Sequence, residues 1–423
     1  MFEPPLHTRP ADKLDILFIT ADLFPPSRPA ARALFAEGLA ARGHRIDWLM
    51  QAAAPANPGG EQRFKGGTAY VAPTTAGGSR LARLHRCFAG VRNDLKVFGL
   101  LKRHRYSLVQ IKDKHLGALV AILAAKIHRV PVFYWLAYPH GDAAYAARYG
   151  LLCRLRCALQ RWLLYRVIMP ACTHVFVQSE QLRLEAARKG IPLDSVTAVP
   201  SSLNLRDLDT TAGVEDGGAP SPPPTIVYLG TLLRERQLDF LVRVHALVVA
   251  QIPTARLTFV GSGWMPDDEH LLRVEAQRLG LGSSVTITGW LPAAEAWQHV
   301  RHAALCVSPP LPASALRSTP PAKLIEYLAL GKPVVATDDP EQVEVLRQSG
   351  AGIVCGSSEP EFAAAIAELL EDPARAVRMG IAGRRYVALH RTHWAMVELV
   401  TGRYRRHLTE PPKPPKPRMF ARV

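Results

Sequence analysis

The sequence predicts an α/β protein of two doubly wound parallel sheets, and three observations carry that prediction. Short apolar runs alternate with helical stretches of ten or more residues along nearly the whole chain. The runs are continuously apolar, as in strands covered on both faces, rather than alternating apolar with polar. The rhythm stops near residue 207 and restarts at 225, which divides the sheets. A chain of 423 residues, 48% hydrophobic and 21% charged, has an ordinary globular balance and length enough for two to three domains. That excludes a disordered chain and a small disulfide-stapled scaffold.

DILFIT (15–20) reads as the first strand, followed by a helical stretch around 30–42, Gly43 as its stop and RIDWLM (45–50) as the second strand. SLVQI (107–111), VPVFYWL (130–136) and HVFVQ (174–178) continue the first sheet. Residues 207–224, DLDTTAGVEDGGAPSPPP, are rich in Gly, Pro, Ser and acids without an apolar period, and read as a linker. The second sheet is expected from TIVYLG (225–230), RLTFVG (256–261), SVTITG (284–289), ALCVS (304–308), PVVAT (333–337) and GIVCG (352–356). The tail from Thr409 is rich in Pro and Lys and reads as extended.

The net charge is +16, but it is unevenly spread. Residues 1–200 hold 28 Lys and Arg against 13 Asp and Glu, whereas residues 201–400 hold 17 against 22. Charge alone suggests nucleic acid, yet no RNP, helix-turn-helix or zinc signature is present, so no nucleic-acid partner is expected. Six scattered cysteines without a CxxC pair fit free thiols in a reducing compartment. The first twenty residues lack the apolar core of a secretory signal, and the longest charge-free apolar run, 116–125, is half a membrane span. A cytoplasmic protein is expected. The segment LLCRLRCALQRWLLYR (151–166) sets Arg154, Arg156, Arg161 and Arg166 among Leu, Trp and Tyr. It reads either as a helix packed on the sheet or as a basic amphipathic helix lying on an anionic membrane.

Ser318 to Thr337, STPPAKLIEYLALGKPVVAT, is the most informative segment. Thr319 reads as an N-cap with Pro320 and Pro321 in the first helical turn, and Gly331 as the stop. Lys323 and Glu326, three apart, project from one face near the helix N-terminus, where anions are favoured. Such a pair can hold a diphosphate on the cation and ribose hydroxyls on the carboxylate. It can equally be an ordinary surface ion pair.

This segment resembles the donor-nucleotide motif of the retaining GT-B glycosyltransferases of family 4, the group 1 type, with PPAKLIEYLALGKPVVAT matching its xPxKLxEYxAxGxPVVA pattern. The resemblance runs from DILFITADLFPP to about Tyr404 and is strongest from Val227 to Tyr386. It implies a GT-B fold of two Rossmann-like domains facing across a cleft: an acceptor domain over 1–206, a linker over 207–224 and a donor domain over 225–388. A C-terminal helix over 389–408 would cross back to the first domain, before the tail at 409–423. It implies an enzyme that moves a sugar with retention from a nucleoside-diphosphate sugar to an acceptor hydroxyl, in cell-surface polysaccharide or glycolipid assembly. No metal or other cofactor is expected. The acceptor would be a glycan or a lipid-linked glycan, and the enzyme would sit in the cytoplasm, peripherally on the inner membrane face.

By the same resemblance, Arg236, Lys323 and Glu326 contact the donor, with Gly230 and Thr231 in the first glycine turn and Gly261 and Gly263 in the second. Ser318, Thr319, Pro320 and Pro321 lie beside the donor; Ser318 stands where the family commonly has a sugar-contacting Glu. The loop FPPSRPAAR (24–32) replaces a Gly-Gly turn, which makes Ser27 and Arg28 candidates for contact with phosphate or acceptor. His140 and Asp142 follow a first-sheet strand and are candidates for catalysis and sugar contact; Lys112, Asp113 and Lys114 form a further cluster. A third departure is PSSLN (200–204), where a Gly and then an Asp are common. Two alternatives remain open. One is a metal-dependent GT-A enzyme, with Asp267-Asp268 or Asp338-Asp339 as the acidic pair. The other is a non-catalytic sugar-nucleotide-binding subunit, motivated by Ser318.

Overall fold

A computed structural model describes residues 13–26, 28, 30–76, 79–137, 150–209, 223–309 and 321–409. Two parallel sheets organise them. The first contains β1 (Asp15–Phe24), β2 (Arg45–Ala52), β3 (Gly60–Phe64), β4 (Gly67–Ala72), β5 (Leu108–Lys112), β6 (Val132–Leu136), β7 (His174–Val177) and β8 (Val196–Ala198). Their spatial order is β3-β4-β2-β1-β5-β6-β7-β8, parallel except for the β3–β4 hairpin at one edge. The second sheet contains β9 (Thr225–Leu229), β10 (Arg256–Val260), β11 (Val285–Ile287), β12 (Leu305–Ser308), β13 (Val334–Thr337) and β14 (Gly352–Cys355). Its order is β11-β10-β9-β12-β13-β14.

The continuous apolar runs become strands with both faces covered. Leu17 and Ile19 enter one core, with Val109, Ile111 and Tyr134, while Ile16 and Phe18 enter the other, with Leu108, Phe133 and Trp135. Successive side chains point to opposite faces, so only a run without polar interruptions can fill two cores. The second sheet is built likewise, with Tyr228 and Phe259 on one side and Val227 and Cys306 on the other.

Two boundaries differ from expectation, and two elements are additional. The polar segment from 207 does not begin as linker: Leu205–Asp209 is a short helix, and Leu208 is buried in the second domain's core. One apolar residue there outweighs the acidic composition around it. The final helix starts at His393, because Pro373–His390 is a separate helix. The β3–β4 hairpin and the short edge strand β8 were not anticipated: GEQRF is largely exposed, and VTA is too short to show a period.

The chain passes between the sheets twice, and the two passes are hydrogen-bonded to each other. Leu203 N donates to Arg391 O at 3.0 Å, and His393 N donates to Leu203 O at 2.9 Å. The helix His393–Thr409 then packs on the helical segment Ala30–Leu39 of the first domain. Its Tyr404 is wholly buried and donates to Gln110 Oε1 at 2.5 Å, and Arg42 pairs with Glu398.

Candidate functional site

Each sheet has a switch point where successive crossovers change direction, and ligands of α/β proteins bind outside the carboxyl ends of strands there. In the second sheet the switch lies between β9 and β12, since β10 and β11 extend to one side and β13 and β14 to the other. The turn after β9 holds Gly230, and the helix Ala322–Ala329 that bears Lys323 and Glu326 connects β12 to β13. Two segments nearly a hundred residues apart in sequence therefore flank one crevice.

The glycine turns are sterically required. Gly261 has φ +140°, and a Cβ there would lie 2.0 Å from Gly230 O. The turns after β9 and β10 are stacked backbone to backbone, with Gly230 N donating to Val260 O at 3.0 Å and Leu232 N to Ser262 O at 3.0 Å. A Cβ on Gly263 would strike Asp268 at 2.2 Å. Thr231 is exposed on the first turn. Both turns present main-chain groups where a ligand can approach closely.

Arg236 ends the short helical turn Arg234–Arg236. Its Nε is buried and finds no hydrogen-bond partner among the described residues. A buried N–H without an acceptor costs on the order of 1–3 kcal/mol, a cost that a bound anion removes. Its charge also reaches the buried Tyr228 hydroxyl, whose pKa is raised by burial and partly offset by Arg236.

Lys323 and Glu326 pair as their spacing predicts, with Nζ 3.0 Å from Oε1 and 3.3 Å from Oε2. Two contacts that the sequence does not announce fix this helix. Trp297 Nε1 donates to Glu326 Oε2 at 3.2 Å, the oxygen that lies farther from the lysine. Tyr327 is buried, and its hydroxyl accepts from Leu229 N at 2.7 Å while lying 3.3 Å from Leu229 O. It ties the helix to the last residue before Gly230. The capping expectation is corrected. Pro321 occupies the N-cap and the helix begins at Ala322; a proline has no N–H to leave orphaned at either place. Gly331, at φ +72°, ends the helix as expected. Ser318, Thr319 and Pro320 lie outside the described residues.

One member of each acidic pair weighed for a metal, Asp268 and Asp339, caps a helix. Asp268 accepts from Trp264 N and Met265 N at 3.0 Å and from Arg234 N at 3.2 Å, which holds its pKa below the usual carboxylate range. Asp339 caps the Pro340–Ser349 helix. Among the described residues no group of three or more His, Cys, Asp or Glu side chains is placed to hold a metal ion.

In the first sheet the switch lies between β1 and β5. There Lys112, nearly inaccessible, is 3.0 Å from Asp22 and 2.8 Å from Asp113, both buried. Asp113 adopts φ +54° and accepts from Ala137 N at 2.8 Å, so one lysine joins the carboxyl ends of β1, β5 and β6. Lys114 turns away to Asp94 at 2.5 Å. Arg28 is exposed, with Nε 3.4 Å from Asp22, so the buried cluster anchors a cation facing solvent. Ser27, His140 and Asp142 lie outside the described residues.

Residues 223–372 match the family model described as glycosyl transferases group 1, and residues 30–201 match that of a glycosyl transferase 4-like domain. A GDP-mannose-dependent alpha-(1-6)-phosphatidylinositol monomannoside mannosyltransferase of Mycolicibacterium smegmatis is 30% identical over 205 residues, 47% of this chain and 53% of that protein. This chain spans about half the length of the curated relatives it matches. Among solved structures, sucrose-phosphate synthase from Thermosynechococcus elongatus aligns at TM-score 0.67 with 19% identity, covering 93% of this chain and 98% of that one. HepE of Anabaena, solved with UDP and glucose, aligns at 0.61 with 16% identity over 92% and 99%.

Proposed function

We propose, from the premise that this chain belongs to the group 1, family 4 glycosyltransferases and has their GT-B fold, that it transfers a sugar with retention from a nucleoside-diphosphate sugar to an acceptor hydroxyl. The observation that carries the reading is the convergence of the Gly230 turn and the Lys323–Glu326 helix on one switch point. The acceptor is a glycan or lipid-linked glycan in glycolipid or surface-polysaccharide assembly, as the mannosyltransferase relative's name supports.

The roles follow from the chemistry of each group. Glu326, with one oxygen held by Trp297, accepts the ribose hydroxyls, and Lys323 exchanges its carboxylate partner for the diphosphate. The unpartnered Arg236 Nε donates to a phosphate oxygen. As the glycosidic bond to the diphosphate breaks, negative charge grows on the leaving oxygen, and these cations stabilise it more than they stabilise the intact donor. This reading assigns neutralisation to side chains and calls for no metal. The acceptor lies on the first sheet's switch point, with Arg28 towards any acidic group it bears. The exposed basic helix 151–163 brings the enzyme to an anionic membrane from the cytoplasmic side.

Thermal melts with GDP-mannose, UDP-glucose and ADP-glucose test the donor site. One of them should raise the melting temperature, and Glu326→Ala should abolish that shift; a shift that persists in the variant overturns the placement. Transfer that survives EDTA supports the metal-free reading, and loss of transfer restored by a divalent cation refutes it. Tight nucleotide binding without turnover across a broad acceptor panel favours the binding-subunit alternative.

A further inference from the structure

A cavity of about 1360 Å³ opens between the C-terminal helix and the amino ends of β6, β7 and β8. These strand ends are opposite to the carboxyl ends that carry the Asp22–Lys112 cluster, so the cavity is separate from the first sheet's switch point. Its wall is basic. Lys126 and Arg129 come from the end of the Leu116–His128 helix, Arg183 from the Glu180–Arg188 helix, and Arg403 and Arg406 from the C-terminal helix. Among the described residues that line it, Glu180 and Asp194 are the acids that oppose them.

The carboxylates do not balance these cations. Glu180 is taken by Arg183 at 2.6 Å, and the rest of that guanidinium donates to Val196 O at 2.9 Å and Leu193 O at 3.2 Å. Lys126, Arg129, Arg403 and Arg406 form no ion pair with any described residue. His407 lines the same wall, with Nε2 3.1 Å from Nδ1 of His174, which is wholly buried and has Nε2 2.8 Å from Thr197 Oγ1. Burial, then the charges of His407, Arg403, Arg406 and Arg183, push the His174 pKa down to about 3. Burial, with Arg406 and Arg183, likewise lowers that of Arg403. In both shifts burial is the larger cause, and the neighbouring positive charges act in the same direction.

Arg403 is half-buried while Lys126, Arg129 and Arg406 are exposed; like charges gathered along one concave wall repel one another and focus a potential that concentrates anions. Guanidinium groups converging from separate elements suit a phosphate chain, which each can grip in bidentate fashion. We propose that this cavity binds a small multivalent phosphate anion bearing a pyrophosphoryl group. Residues 410–423 continue from Thr409 at its lip, but they carry Lys413, Lys416, Arg418 and Arg422 against Glu410 alone. Their charge has the cavity's own sign, so the tail is no substitute for the anion.

Thermal melts of the full chain, titrated with sodium pyrophosphate and with sodium chloride at matched ionic strength, test the site. The background is Arg236→Ala/Lys323→Ala, which removes both diphosphate contacts assigned to the donor site. Pyrophosphate should raise the melting temperature by several degrees and chloride should not. Arg403→Gln/Arg406→Gln should melt above its parent without ligand, because repulsion is relieved, and should bind pyrophosphate at least tenfold more weakly by calorimetry. Lys126→Gln/Arg129→Gln, on a different helix end, should weaken binding independently and guards against misfolding of the first pair. A chloride response equal to that of pyrophosphate, or unchanged pyrophosphate affinity in both double variants, overturns the proposal.

Discussion

The indole of Trp297 donates to Glu326 Oε2 at 3.2 Å, a contact between two helices that fixes the carboxylate assigned to the donor ribose. Glu326 is only 17% exposed at its side chain, whereas Lys323 is 47% exposed, so the acid is anchored and the base is free to swing. Trp297→Phe keeps the ring and deletes the donor. Losing one hydrogen bond to a charged group should weaken donor-nucleotide affinity about tenfold. The melting temperature of the free protein should change little. Calorimetry with the responsive nucleotide checks this, and unchanged affinity would mean that Glu326 needs no orienting partner.

Gly261→Ala should fail for steric reasons. The added Cβ would sit 2.0 Å from Gly230 O, at a φ of +140° that side chains rarely adopt. Both turns must then separate, at a cost of roughly 3 kcal/mol or more. Gly282→Ala is the control, since nothing lies within 4 Å of a Cβ there. Urea denaturation should separate the two variants clearly.

Arg236→Lys keeps the charge but loses the planar fork. If the buried Nε meets a phosphate oxygen, kcat should drop about a hundredfold or more while the denaturation midpoint stays in place. A lysine variant with full activity would show that a point charge suffices.

How much of this was readable in the sequence depended on chain distance. The central strands announce themselves because residues such as Leu17 and Phe18 serve opposite cores within one run. Lys323 and Glu326 are readable because helical geometry makes i,i+3 residues neighbours. Trp297 and Tyr327 were not, since their partners, Glu326 and Leu229, are 29 and 98 residues away and only tertiary packing brings them together. The Lys112–Asp22 pair, 90 residues apart, is hidden for the same reason. Asp268 and Asp339, candidates only under the metal-dependent alternative, have a role that the sequence did not announce: each caps a helix.

Two buried histidines set an acid limit on stability. His174 has its pKa held down to about 3, and burial holds His245 down to about 4. Both stay neutral in the fold below the ordinary value near 6.5, whereas the unfolded chain takes up protons there. Native stability is therefore fully expressed above about pH 6.5 and declines as pH falls from there towards 4. At pH 5 each histidine should cost about 2 kcal/mol relative to pH 7. Urea midpoints at the two pH values measure the loss, and His245→Gln should make it smaller. Equal losses in the variant and the parent would rule out buried neutral imidazole as a cause.

The helix Leu151–Leu163 gives the charge asymmetry a physical target. None of its residues is buried. Leu151, Leu152, Leu155, Leu159 and Trp162 are each more than half exposed and recur at helical spacing, so they share one face beside Arg154, Arg156 and Arg161. No described helix is long and apolar enough to cross a membrane. An apolar stripe bordered by arginines instead suits the interface plane, where each cation contributes about 1 kcal/mol against anionic lipid. The chain should co-sediment with vesicles rich in phosphatidylserine and much less with phosphatidylcholine alone, and added salt should weaken the difference. Arg154→Glu/Arg161→Glu should reduce that binding at least tenfold, while Leu155→Ala/Trp162→Ala should weaken binding to both vesicle types. Since these residues pack against no core, both variants should melt as the parent does. Binding that ignores lipid charge would leave the stripe without its membrane role.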